Sequence, residues 1–386
     1  MIATPDELLA TAQERTGLDD FGDHSFHEGL DVLVLALRNE AKLNAVGEIV
    51  IPELILKHLG QRLKIEDWYR RHPEIAEEPI VAPLIGLGLP RTGSTALSAL
   101  LAEDPEARSL RRWEAGEPCP PPSTVSGPDP RIAEQEALQA MQDEMSPRMS
   151  ALVPSTPTGP HECQDLMALD FKSHYFQAFA YVPTYSEFLL QADFTSTYRY
   201  ERRTLQLLQW GQPPRPWRLK CPSHLLWLDD LNEVFPDARF VMTHRDPTEV
   251  MVSVSDVYAE VGRQFNEEVD LPYLGHLNVA HWTAGMETLL RFRDEHGDER
   301  FYDMDFRAMQ QDPIGQVTGL YGWLGEPVTD AFESGMRNWW EQNASQREVN
   351  IHPDASEFGL DLEEVRSRFA GYTARIPAWT ASTVPS

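Results

Sequence analysis

The chain has 386 residues, which at roughly 150 residues per domain allows two or three domains, or one large α/β unit with additions. Hydrophobic residues at 41%, aromatic at 10% and charged at 24% are the balance of a soluble globular protein and exclude collagen-like, coiled-coil and wholly disordered chains. With 33 Lys plus Arg against 61 Asp plus Glu, the formal charge of -28 argues against a nucleic acid or an anionic membrane as partner, so any bound anion must be held by a local cluster.

The opening stretch, MIATPDELLATAQERTG, is acidic and has neither the positive nor the apolar region of an export signal, which predicts a cytoplasmic protein. Residues 5–72 place apolar side chains at helical intervals, as in Leu30, Leu33, Val34 and Leu37, then Ile49, Leu54, Ile55 and Leu59. Residues 1–78 are therefore expected to form a helical segment packed on the core. Residues 80–88, IVAPLIGLG, read as a short buried parallel strand that stops at a glycine loop. The same run comes nearest to a membrane span, yet it falls far short of the roughly 20 residues required.

A helix is expected from Ser94, and Ala115 to Pro130 carries too much proline for regular structure. Trp217–Lys220, Arg239–Thr243 and Arg300–Asp303 read as further strands, each followed by a helical pattern, and Asp361–Tyr372 as an amphipathic helix. Strands alternating with helices predict an α/β fold over residues 79–386, with a central parallel sheet covered on both faces and a helical insertion at about 110–215. Cys119, Cys163 and Cys221 are too few and too scattered for a disulfide framework, and the near-adjacent His161 and Cys163 do not converge, so no metal is expected.

Gly88-Leu89-Pro90-Arg91-Thr92-Gly93-Ser94-Thr95 lies between a buried strand and a helix, where successive backbone N–H groups and the positive helix end bind a phosphate. A nucleotide triphosphatase carries GxxxxGK[ST] there, its lysine on the outer phosphates and its hydroxyl on magnesium. Here the glycine spacing is kept, but Ser94 stands where the lysine would, and the cation lies inside the loop as Arg91. The loop suits an anion of another shape, which counts against the rival reading of a magnesium-dependent kinase.

LPRTGST resembles the 5′-phosphosulfate loop of the sulfotransferases that use 3′-phosphoadenosine 5′-phosphosulfate (PAPS), whose fold is a P-loop-like α/β sandwich. A second motif of that family places an arginine at a strand end and a serine eight residues later on the donor's 3′-phosphate. RFVMTHRDPTEVMVSVSDVY supplies Arg245 and Ser253 at that spacing. Eight residues across Asp246-Pro247 carry Ser253 about two turns into the next helix, on a face that looks back at the strand end. The resemblance spans roughly residues 80–325 and is nearest to the bacterial lipid and small-molecule branch.

Trp217-Arg218-Leu219-Lys220-Cys221-Pro222-Ser223-His224 resembles the lysine and histidine region of the same family, in the KxPxH form, and implies His224 as general base for the acceptor hydroxyl. Glu162, in HECQDL, is the rival base, set against a plain role as a carboxylate at a helix N-terminus. Arg91 and Lys220 are expected to stabilise the bridging oxygen as it leaves, by analogy with phosphoryl transfer. Phe306 falls where several relatives place an adenine-contacting tyrosine, and Arg347 is the nearest substitute for their C-terminal basic loop. The aromatic runs Tyr175–Tyr185 and Trp339-Trp340 are candidates for an acceptor pocket or for plain core. The expected partner is a small apolar hydroxyl compound (lipid, sterol or aromatic alcohol); a homo-oligomer and a non-catalytic PAPS-binding protein are left open.

Overall fold

A computed structural model describes residues 2–344 and 353–382. Five parallel strands form one sheet: β1 (Leu84–Leu87), β2 (Arg108–Ser109), β3 (Trp217–Lys220), β4 (Arg239–His244) and β5 (Phe301–Asp305), in the order β2-β3-β1-β4-β5. β1 is thus central, with Ile85 opposite Leu219 on one side and Phe240 on the other. It is shorter than the expected 80–88 because Pro83 has no N–H for the ladder and Ala82 turns through a positive φ of 40°. β5 runs two residues further than expected, and β2, only two residues long, carries no pattern from which it could be read.

Alternation along the strands divides the apolar residues between two faces. Leu84, Val241, Tyr302 and Met304 face a cluster built with Leu97, Leu100, Leu320, Phe332 and Met336. Ile85, Leu87, Phe240, Met242 and Phe301 face a larger cluster that takes in Leu30, Leu33, Leu37, Ile55 and Leu59 from the N-terminal helices. The result is a three-layer α/β sandwich whose N-terminal helices, Pro5–Thr16, Phe26–Asn39 and Gly47–Arg71, share the core of the sheet.

Between β2 and β3 the chain runs through helices that include Pro130–Met145, Pro147–Leu152, Gln164–Ala168 and Thr195–Gln209. The aromatic stretch 175–185 packs inward, with Phe176 and Tyr185 in the large cluster, while Trp339 and Trp340 lie against the smaller one. The expected helix at 361–372 divides into Leu362–Arg368 and Ala370–Ser382. No described helix is long and apolar enough to cross a membrane.

Candidate active site

In an open parallel sheet whose connections run to opposite sides, the carboxyl ends of the central strands form a crevice. Here those ends belong to β1, β3 and β4. The loop after β1 turns through three positive φ angles, 123° at Gly88, 60° at Arg91 and 88° at Gly93, and leads into the helix Ser94–Leu101. Gly93, the residue before that helix, provides no side-chain cap, so the first-turn amides at Ser94 and Thr95 face the crevice with their positive ends. Thr92 is buried; its hydroxyl donates to Leu89 O (2.9 Å) and meets Thr243 Oγ1 (2.6 Å), which ties the loop to β4.

Arg91 points across the crevice. Its Nε donates to Ser253 Oγ at 3.1 Å and its Nη1 to Leu152 O at 2.8 Å. Burial, reinforced by the neighbouring Arg245, pushes its pKa below the ordinary arginine value, so an anion placed beside it would relieve an existing electrostatic strain. Arg245 donates to Arg91 O at 3.0 Å, pairs with Glu249, and lies 4.8 Å over the Phe306 ring. Ser253 sits two turns into Pro247–Phe265, a helix with proline at its first position and Asp246 accepting from Thr248 N. Gly93 leaves room for Phe306: a Cβ there would lie 3.1 Å from Phe306 Cδ2. Arg91, Gly93, Arg245, Ser253 and Phe306, drawn from three chain segments, therefore form one cluster.

At the end of β3, Lys220 Nζ donates to Glu162 Oε1 at 2.6 Å. The lysine is nearly enclosed, whereas the Glu162 side chain is 35% exposed. Cys163 N donates to Lys220 O (3.2 Å) and Cys221 N to Gly86 O (2.9 Å), so backbone bonds fix the segment of Glu162 against β3 and β3 against β1. His161 turns away to Asp165, at 2.7 Å. His224 is also set apart: it lies in the short turn Pro222–Trp227, is fully buried, meets Tyr198 OH through Nδ1 at 3.1 Å, and is pushed down to about 3 by burial. Arg347 lies outside the described residues.

A cavity of about 600 Å³ opens beside Arg245 and Phe306, lined also by Asp305, Arg307, Arg366 and Thr373. Arg366 and Thr373 come from the C-terminal helices, and nothing in the sequence marks them, because their place depends on the tail folding back over the strand ends.

A family model described as the sulfotransferase family matches residues 83–330. Among solved structures, sulfotransferase STF9 from Mycobacterium avium is 33% identical, with a TM-score of 0.90 over 97% of this chain and 96% of its own. Sulfotransferase STF1 from Mycobacterium tuberculosis H37Rv is 30% identical, with a TM-score of 0.80 over 96% of this chain and 99% of its own. No curated protein matches the chain.

Proposed function

The chain belongs to the sulfotransferase family, and from that premise we propose that it moves a sulfuryl group from PAPS to the hydroxyl of a small apolar acceptor. The observation that carries the donor assignment is the Arg91–Ser253 contact at 3.1 Å, which joins two motifs 162 residues apart. The glycine loop and the amides at Ser94 and Thr95 take the 5′-phosphosulfate, Arg245 and Ser253 the 3′-phosphate, and Phe306 stacks beneath the adenine.

The acceptor oxygen attacks sulfur in line, the bond from sulfur to the bridging phosphate oxygen breaks, and adenosine 3′,5′-bisphosphate leaves with the electron pair. Arg91 and Lys220 stabilise the charge that develops on that oxygen. The acceptor proton goes to Glu162, whose carboxylate is exposed to the crevice and oriented by Lys220. His224, the base that the KxPxH resemblance implies, is enclosed and burial lowers its proton affinity, which favours Glu162 for this step. The apolar character of the acceptor is supported by the segment that reaches Arg91, where Leu138, Met141, Met145 and Val153 are exposed.

Calorimetric titration with adenosine 3′,5′-bisphosphate, beside ADP and ATP with magnesium, tests the donor site. Tight binding of the bisphosphate and weak binding of ADP are expected. Binding of magnesium ATP in preference to the bisphosphate would overturn the donor assignment.

A further inference from the structure

Three side chains from separate elements converge behind β3: Cys163, which precedes the helix Gln164–Ala168, Glu201 in Thr195–Gln209, and His224 in the turn after β3. The Cys163 sulfur, a Glu201 carboxylate oxygen and a His224 ring nitrogen all lie within 4.8 Å of one another, and all three residues have no exposed surface. No nitrogen or oxygen donor reaches either Glu201 oxygen, and His224 Nε2 likewise has no hydrogen-bond partner. Glu201 has only the Cys163 thiol beside it, a weak donor, and so enclosed a carboxyl, poorly partnered in either protonation state, suits a group in which a cation takes the centre.

We propose that Cys163, Glu201 and His224 bind a single zinc ion. The donor set of thiolate, carboxylate and imidazole is one that zinc favours, and three protein ligands leave a fourth position for a small ligand. Charge supports the same choice: a thiolate and a carboxylate together neutralise a divalent cation, which a buried site demands. The second nitrogen of His224 faces the Tyr198 hydroxyl at 3.1 Å. With Nδ1–H donating to that hydroxyl, the otherwise unpartnered Nε2 lone pair is left free to bind the metal. A water molecule would answer the carboxylate and the imidazole, but it would leave a buried thiol as its third neighbour, a weak partner.

The ion has a positioning role. Cys163 directly follows Glu162 and His224 lies four residues after Lys220, so zinc would clamp together the two segments that deliver the Glu162–Lys220 pair. It would add to the ties already between them: Cys163 N to Lys220 O, Lys220 Nζ to Glu162 Oε1, and Gln164 Nε2 to Ser223 Oγ at 2.6 Å. A second group, Asp229, Glu295 and His296, also brings its ligand atoms within 4.8 Å of one another, but it is exposed and Asp229 is paired with Arg291. It serves as the control.

The test uses the full chain, purified from zinc-supplemented culture and passed through chelator. Mass spectrometry of the metal is expected to find about one zinc per chain. The chain unfolded with chelator and refolded with cobalt is expected to show a thiolate-to-cobalt charge-transfer band that Cys163→Ser lacks. Glu201→Gln should lower the metal content at least tenfold, and His296→Ala should leave it unchanged. Because the cobalt band is read on the unaltered chain, a variant that fails to fold does not spoil the experiment. Substoichiometric zinc together with no cobalt band on refolding would overturn the site, as would metal that Cys163→Ser and Glu201→Gln retain in full.

Discussion

Arg91 is held by a carbonyl and a hydroxyl, neither of which carries charge, inside a crevice that lowers its proton affinity. It is a cation prepared for an anion, and Arg245 extends the same preparation toward Phe306. Replacing Arg245 by Ala is expected to weaken adenosine 3′,5′-bisphosphate binding by about 1.5 to 3 kcal/mol, the scale of a charged hydrogen bond. An unaltered dissociation constant would remove Arg245 from the 3′-phosphate. Glu162→Gln keeps the shape of the side chain but removes its capacity to take a proton. Turnover should fall by about 10² to 10⁴-fold with donor affinity unchanged. Equal turnover in single-turnover kinetics would move the base elsewhere. His224→Ala separates the two candidates: if Glu162 is the base, loss of the enclosed His224 should lower the thermal midpoint while turnover survives in part, whereas abolished turnover with donor binding intact would return the step to His224.

The element that reaches the crevice from the insertion is the short helix Pro147–Leu152, whose last carbonyl receives Arg91. Arg148 straps it to Pro247–Phe265 by pairing with Asp256 at 2.8 Å and with Glu260. That strap is part-exposed, so Arg148→Ala should change global stability by less than about 1 kcal/mol. The local effect should be larger: amide exchange across residues 130–155 should quicken, and the acceptor Michaelis constant should rise more than the donor dissociation constant. Protection that stays at the level of the unaltered chain would mean that the helix is held by packing rather than by its ion pairs. At the same scale, what could be read in the sequence follows chain distance. The loop around Arg91 and the pair Arg245–Ser253 each act within about two turns of one segment, so spacing alone describes them. The meeting of Cys163, Glu201 and His224 needs three elements at once. His224 follows Pro222 and Ser223 as if in an exposed turn, yet Gly285 lets the helix Leu271–His296 come down on that turn, since a Cβ there would lie 3.0 Å from Leu225 Cδ2.

Over the whole molecule, buried histidines set the response to acid. His58 and His281 are each pushed down to about 4 by burial, His224 to about 3, and His174, whose Nε2 meets His281 Nδ1 at 3.1 Å, well below its ordinary 6.5. A histidine whose folded pKa is depressed is neutral in the folded chain while the unfolded chain takes up a proton. Its contribution to stability is therefore complete above 6.5 and is lost as the pH falls below it. Glu201, raised to about 8 by burial, works in the opposite sense, and burial raises Glu103 and Asp230 in the same direction, but the four histidines outnumber these carboxyls. With zinc bound, Glu201 is ionised in both states and drops out, while His224 and the Cys163 thiolate are deprotonated in the folded chain and take up protons on unfolding, so the sign is the same. Paired carboxylates with depressed pKa values, such as Asp303 between His244 and Arg293, lose their contribution only below their ordinary value of 3.8, outside this window. Stability should consequently fall by about 2 kcal/mol per net proton between pH 6.5 and pH 5. Thermal melts across pH 8 to 5 would check it: the midpoint should drop steadily below pH 6.5. A midpoint that held or rose down to pH 5 would mean that these imidazoles gain solvent or a counter-charge before the chain unfolds, and that the enclosed interior behind β3 opens well short of global unfolding.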